Sequence, residues 1–343
     1  MHRAWTGGQY SLVRLLGGSL IAVHFLERTA VADGFFASLL WMAASATSVV
    51  FALGRWERTA AAVLLVALWL TCEESSFLGH AGTWYAAAWM IAHLCLPSAP
   101  YGSLDAVGRQ DPRGDWQMPQ WAPAAAWALF VAHHAASGVS ALASGHLLAA
   151  MVSLALAGFG LSASLRVVVW SVSLGIEVAK LFLGASDGGV WLLHLLALQP
   201  LWFPPRENLG VETVFYDGTC ALCHGATRFL LSEDAEPARF RLAPLGGDAF
   251  EQRMPAGRKN DLPDSVVVVA ADGAVHVRSS ASLYMLDRIG GLWRLVGDIA
   301  SLLPSSLLDG GYDTVARNRY RWFGRKTQAC PILAGELRQR FDM

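Results

Sequence analysis

The chain has 343 residues, 54% of them apolar and 15% charged, and carries a net charge of −1; its mean hydropathy is +0.38. A soluble globular chain carries about 25% charge, so much of this one is expected to sit in lipid. The near-zero balance argues against nucleic acid as a partner.

Apolar runs recur through residues 10–203, with approximate spans expected at 9–26, 35–53, 59–76, 84–98, 121–142, 147–163, 165–184 and 190–204. Several fall short of the ~20 residues that cross a bilayer upright, and Glu73 and Glu74 close the third early. Arg14 interrupts the first run and no clear cleavage site follows it, so the N-terminus is expected to stay attached as the first membrane helix. With that terminus inside, Arg3, Arg55, Arg58, Arg109, Arg113, Arg166 and Arg206 all fall on the inner side. Outside, Arg28 stands beside Glu27, Asp33, Glu73, Glu74 and Asp187. This asymmetry fits an even number of spans with both termini in the cytoplasm.

Of 26 Lys and Arg, 10 lie at or before Arg206 and 16 after it, so an ordinary charged domain follows a charge-poor one. Past the Phe203-Pro204-Pro205 break the pattern changes to short strands and amphipathic helices. Glu212–Tyr216 reads as a buried strand, Asp217-Gly218-Thr219 as a turn, and the next stretch as a helix to about Ser232. A second strand is expected at Phe240–Leu245. Ser265–Ala270 and Ala274–Arg278 form a hairpin about Asp272-Gly273. Helices follow at 280–289, 292–303 and 311–323.

The five cysteines lie at 72, 95, 220, 223 and 330, too few and too scattered for a disulfide scaffold. Cys220 and Cys223 stand apart, because they follow a strand and a tight turn and open a helix. Unpaired N–H groups at a helix N-terminus favour an anion such as a thiolate. With Thr219 as N-cap, Cys220 takes the first helical position. Cys220 would then attack a substrate disulfide, and Cys223, on the same helical face, would resolve the mixed disulfide. A zinc site would need two more ligands, and Cys330, His224 and His276 offer no recognisable spacing.

Val214-Phe-Tyr-Asp-Gly-Thr-Cys-Ala-Leu-Cys223 resembles the defining motif of the DCC family of thiol-disulfide oxidoreductase-like proteins. The likeness continues through Arg278-Ser-Ser-Ala281 and Tyr312–Arg321 and ends at Trp322-Phe-Gly324 and Cys330. It implies a thioredoxin-like domain whose site is Asp217, Cys220 and Cys223. Asp217 either accepts a proton from Cys223 or only caps its turn. Pro263 stands roughly where thioredoxin folds place a cis-proline, or is a plain loop proline. The basic run Arg317, Arg319, Arg321, Arg325 and Lys326, interleaved with Tyr320, Trp322 and Phe323, meets lipid headgroups or forms a solvated helix face.

In the apolar half, Leu53–Ala60, Ala99–Asp105 and Ser137-Gly138 resemble the HTTM family, multi-span proteins related to the vitamin K-dependent gamma-carboxylase. That family commonly carries a lysine after the Ser-Gly pair, where Ser140 stands here. Glu177 and Lys180, three apart in one span, can neutralise each other or serve a function. His24, His93, His133, His134 and His194 invite haem or a quinone, or bond within the bundle. Cys72 and Cys95 are expected on the order of 15 Å or more apart, beyond disulfide reach.

The expected architecture is an all-α multi-span membrane bundle followed by an α/β thioredoxin-like domain. The bundle covers residues 1–205, the cytoplasmic domain 211–333 and a tail 334–343. Such a protein is a multi-pass one of a bacterial inner membrane, exchanging thiols with a protein or small-molecule disulfide through its dithiol, with no other cofactor. The alternative is a membrane enzyme or transporter whose DCC domain is a regulatory or docking module.

Overall fold

Apolar residues at every turn, without a buried β-branched alternation, wind the first half of the chain into helices. The computed structural model describes residues 5–71, 79–185, 187–206, 210–234, 239–254, 265–327 and 335–342. Cys72, Glu73, Glu74, Pro263 and Cys330 lie outside these residues. The apolar half holds α1 (Gly7–Val31), α2 (Phe35–Ala52), α3 (Glu57–Leu70), α4 (Gly79–Cys95), α5 (Trp121–Ala143), α6 (Leu147–Gly160), α7 (Arg166–Phe182) and α8 (Gly188–Ala197). Each falls on one of the expected spans. Three of them, α1, α2 and α5, are long and apolar enough to cross a membrane. The α6 and α7 stretches meet at 118° and could make a fourth span only as a broken pair.

Two units divide the chain. The helical unit comprises residues 10–105 and 117–199. Ile21, Phe25, Phe51, Leu64, Leu68, Met90 and Leu192 form its buried core. Other apolar side chains point outward: Phe36 is 84% exposed and Phe182 85%, which suits a surface facing acyl chains rather than water. Several of its ionisable groups are turned inward and paired. Arg14 bonds Glu57 at 2.8 Å with both side chains buried, and the other Glu57 oxygen lies 3.5 Å from His93. Ser173 Oγ stands 2.9 Å from His134 Nε2 and 2.9 Å from His194 Nε2. Lys180 bonds Glu177 at 2.7 Å. His93, His133, His134 and His194, read from sequence as possible cofactor ligands or bundle partners, have hydrogen bonds inside the bundle, whereas neither ring nitrogen of the buried His24 has one among the described residues.

The second unit comprises residues 1–9, 106–116 and 200–343. It carries β1 (Glu212–Tyr216), α9 (Ala221–Glu233), β2 (Phe240–Pro244), α10 (Asp248–Arg253), β3 (Val267–Val269), β4 (Val275–Val277), α11 (Arg278–Ile289), α12 (Gly291–Ala300), α13 (Ser305–Phe323) and α14 (Gly335–Arg338). The sheet order is β2-β1-β3-β4. β1 runs parallel to β2, with Val214 opposite Leu242, and antiparallel to β3. Every residue of β1 is buried, because Val214 and Tyr216 pack against α9 and α11 while Phe215 packs against Phe250 and Met254 on the other face. A central strand covered on both sides is a stable platform for whatever its C-terminal end presents.

Two boundaries differ from the expectation. Within the expected tail 334–343, the described residues 335–342 pack on the domain: Leu337 and Phe341 enter the sheet core. The Asp342 N–H bonds Leu242 O at 2.8 Å, and Leu242 N–H bonds Arg340 O at 2.9 Å, which gives the outer edge of β2 a partner. The apolar spacing of Leu337 and Phe341 would have signalled this. The domain also begins outside 211–333, since Thr6 and the Gly8 N–H bond the buried Glu233 carboxylate. A carboxylate taken from water needs such donors.

Candidate functional site: a dithiol at the N-terminus of a helix

β1 ends at Tyr216 and delivers the chain into Asp217-Gly218-Thr219. Asp217 Oδ1 accepts the Thr219 N–H and the Thr219 hydroxyl, both at 2.8 Å, and so closes the turn. Its other oxygen accepts Arg319 Nη2 at 3.0 Å and the Tyr320 hydroxyl. Burial pushes the Asp217 carboxyl up. The donors on Tyr320, Thr219 and Arg319 outweigh it and hold the group at about 2. A carboxylate with four donors on it is a poor proton acceptor at neutral pH.

Cys220 and not Thr219 is the N-cap of α9. Its backbone is extended (φ −96°, ψ 123°) and its Sγ accepts the Cys223 N–H at 3.3 Å. The difference of one residue arises because Asp217 already occupies Thr219, leaving the sulfur to meet the first free helical N–H. The Cys223 amide of the first turn therefore points at Cys220 Sγ itself. Burial pushes the Cys223 thiol well above the ordinary thiol range, and the Cys220 sulfur adds to it.

The two thiols differ in access. Cys220 is fully buried, whereas Cys223 is partly exposed. Cys223 lines a cleft of about 80 Å³ with Asp217, Leu222, Val266, Tyr312 and Arg319 among its walls. The chain just beyond α13 runs beside Cys220. Gly324 ends that helix at φ +83°, a conformation glycine reaches without strain. The chain then pairs Arg325 with Cys220 in an antiparallel bridge. The Ala221 N–H donates to Gly324 O at 3.3 Å and the Lys326 N–H to Thr219 O at 2.8 Å. The Arg325 guanidinium rests 4.0 Å from the centre of the Tyr320 ring.

Asp217, Cys220 and Cys223, expected together from sequence, are together. Arg319 and Tyr320 belong with them; from sequence they fall in the Tyr312–Arg321 stretch and in a basic, aromatic run, without a place in the site. Arg319 is 7% exposed and faces Asp217, while Arg317, Arg321, Arg325 and Lys326 stay exposed. The signal was present: Tyr312, Val315, Ala316 and Arg319 recur at helical spacing, and that stripe lines the cleft. His224, weighed as a zinc ligand, spends its Nε2 on Gly218 O at 2.8 Å. Among the described residues no group of three or more His, Cys, Asp or Glu could hold a metal ion.

A mixed sheet whose first strand feeds a Cys-x-x-Cys into a helix N-terminus defines a small α/β dithiol domain. Residues 214–325 match the DCC1-like thiol-disulfide oxidoreductase family. The chain is 30% identical over 120 residues to a chloroplastic DCC family protein of Arabidopsis thaliana, covering 35% of this chain and 68% of that one. It is 29% identical over 136 residues to the uncharacterized protein YuxK of Bacillus subtilis (strain 168), covering 39% of this chain and 96% of YuxK. No solved structure matches. The chain belongs to the DCC family.

Proposed function

We propose that the chain is a membrane-tethered thiol-disulfide oxidoreductase with its dithiol facing the cytosol. Cys220 is the nucleophile and Cys223 the resolving thiol. The observation that carries the assignment of roles is the Cys220 sulfur acting as N-cap of α9, accepting the Cys223 N–H. An anion at that place meets the positive end of the helix. Cys223, pushed up by burial, keeps its proton until the second step.

The Cys220 thiolate attacks one sulfur of a substrate disulfide, forming a mixed disulfide and expelling the other sulfur as thiolate. Cys223 then gives up its proton to the expelled thiolate or to water and attacks Cys220 Sγ. The second substrate thiol leaves and the Cys220–Cys223 disulfide remains. Two electrons pass from the dithiol to the substrate. Asp217 serves as the anchor of the turn, not as the proton acceptor, because all its donors favour the ionised form. The β2-β1-β3-β4 order, with the dithiol at the end of a central strand, supports the thioredoxin-like reading of the domain. The three long apolar helices and the arginine asymmetry support tethering and the cytosolic face. A cytosolic dithiol is kept reduced, so it acts as a reductant or redox sensor.

Alkylation trapping of the full-length protein across a glutathione redox series tests the reading. Cys220 and Cys223 are expected to convert together between labelled and protected forms, and a pair that stays labelled throughout would overturn it. A Cys223→Ser variant should hold the substrate as a mixed disulfide on Cys220. The complete burial of Cys220 favours a second reading, in which the domain is a regulatory or docking module. Cellular function retained after both cysteines are replaced by serine would favour the module.

A further inference from the structure

The burial of Cys220 has a specific form. The segment Gly324–Lys326 pairs with residues 219–221 as one short strand pairs with another. The Lys326 N–H bonds Thr219 O and the Ala221 N–H bonds Gly324 O, which leaves Cys220 and Arg325 as the directly opposed, non-hydrogen-bonded pair. Opposed residues of that kind have Cα atoms about 4.5 Å apart and side chains on the same face. A disulfide spans Cα separations of about 4.4–6.8 Å. A cysteine standing in the place of Arg325 would therefore present its sulfur to Cys220 Sγ at bonding range.

We propose that Gly324–Lys326 is an internal pseudosubstrate: the substrate is an extended polypeptide carrying a disulfide, and it displaces this strap and pairs with Thr219 O and the Ala221 N–H in its place. The proposal rests on Cys220 being the nucleophile. It deepens that reading in two ways, naming polypeptide as the substrate class and making access to the dithiol conditional on strap release. Three features suit the strap to leave and return. Among the described residues, two backbone hydrogen bonds join it to residues 219–221; Arg325 and Lys326 are themselves exposed; and the stack of Arg325 on Tyr320 ties it to the residue that also holds Asp217. The N-cap residue Cys220 is already extended, so an incoming strand needs no rearrangement of α9. In the exchange, the substrate cysteine at the Arg325 position forms the new S–S bond with Cys220, and its former partner leaves as thiolate. Cys223 then displaces the substrate thiolate and yields its proton to solvent.

The test uses the full-length protein in detergent with Cys72, Cys95, Cys223 and Cys330 replaced by serine, so that Cys220 is the one native thiol. In this background Arg325→Cys is expected to give a disulfide to Cys220 under oxidised glutathione, at least tenfold faster than Thr327→Cys. Equal or slower cross-linking at 325 would overturn the pairing. In the native-cysteine protein, Lys326→Pro removes the N–H to Thr219 O. It should speed iodoacetamide labelling of Cys220 about tenfold, the worth of one hydrogen bond, with Cys223 labelling unchanged. The same variant should reduce an extended peptide disulfide faster than wild type by a larger factor than it does oxidised glutathione. Equal factors would refute the polypeptide assignment. If the native dithiol fails to oxidise although the Arg325→Cys cross-link forms, the redox reading fails and the substrate assignment falls with it. If the dithiol oxidises and the cross-link does not form, only the pseudosubstrate is lost.

Discussion

Replacing Asp217 by asparagine is the sharpest perturbation of the turn that presents Cys220. The carboxylate takes two donors from Thr219 on one oxygen and Arg319 and Tyr320 on the other. An asparagine that keeps its carbonyl on Thr219 must turn its NH2 toward a guanidinium, donor against donor. The drop of the folded-state carboxyl from 3.8 to about 2 corresponds to about 2.4 kcal/mol at about 1.36 kcal/mol per tenfold change. Because one edge of the group meets water, we take about half, about 1 kcal/mol. The donor mismatch adds a further ~1 kcal/mol. The sign follows from linkage: a depressed carboxyl stabilises the fold fully above its unfolded value near 4 and loses that contribution as pH falls toward 2. Asp217→Asn should therefore lower the opening free energy of β1 and α9 by about 2 kcal/mol at pH 7, and the gap to wild type should narrow between pH 4 and 2. Hydrogen exchange of β1 and α9 peptides in the full-length protein reads this directly. Unchanged protection at pH 7, or a gap of constant size down to pH 2, would refute the reasoning.

Arg288 and Glu212 form an ion pair at 2.9 Å with both side chains buried, and Tyr284 also donates to Glu212. Arg288→Ala should cost about 3–5 kcal/mol by stranding the carboxylate, whereas Glu212→Gln with Arg288→Met should recover much of it; denaturant-dependent exchange of β1 peptides measures both. Phe341→Ala should cost about 3 kcal/mol, because the ring sits in the sheet core. A free tail would give no change in the urea dependence of Cys220 alkylation.

Local periodicity carried most of the architecture. Eight helices fall on the eight apolar runs, and the strand-turn-Cys-x-x-Cys-helix order is the observed one. The starts of α11 and α13 were less legible: α13 begins at Ser305 after Pro304 and passes through Gly310 and Gly311, ahead of the start expected at residue 311. What the sequence concealed is long-range. The helical spacing of Tyr312, Val315, Ala316 and Arg319 marks one face of α13, but not that this face meets Asp217, 102 residues from Arg319. Nothing in Gly324–Lys326 says that it pairs with Cys220, because a three-residue strap has no period. The closing of β2 by residues 340–342 is of the same kind. Pairings between distant segments are decided by what else has already packed, not by the segments themselves.

The choice of cysteine as N-cap sets function against stability at one position. Serine, threonine, aspartate and asparagine are the usual caps, and a thiol sulfur is a weaker acceptor than a hydroxyl. Cys220 nevertheless takes the Cys223 N–H on its Sγ, and the strap adds two hydrogen bonds, one on either side of it. Cys220→Ser should therefore keep or slightly raise the stability of α9 while ending thiol exchange. Cys220→Ala, which leaves the Cys223 N–H without an acceptor, should cost about 1 kcal/mol. Exchange protection of α9 amides is expected in the order serine, cysteine, alanine, most protected first. Alanine as stable as cysteine would mean that the sulfur is not a cap, and the electrostatic case for Cys220 as nucleophile would lose its footing. Alanine least stable and serine inactive would place the helix terminus where a redox thiol needs it, at a position where another residue serves the fold better.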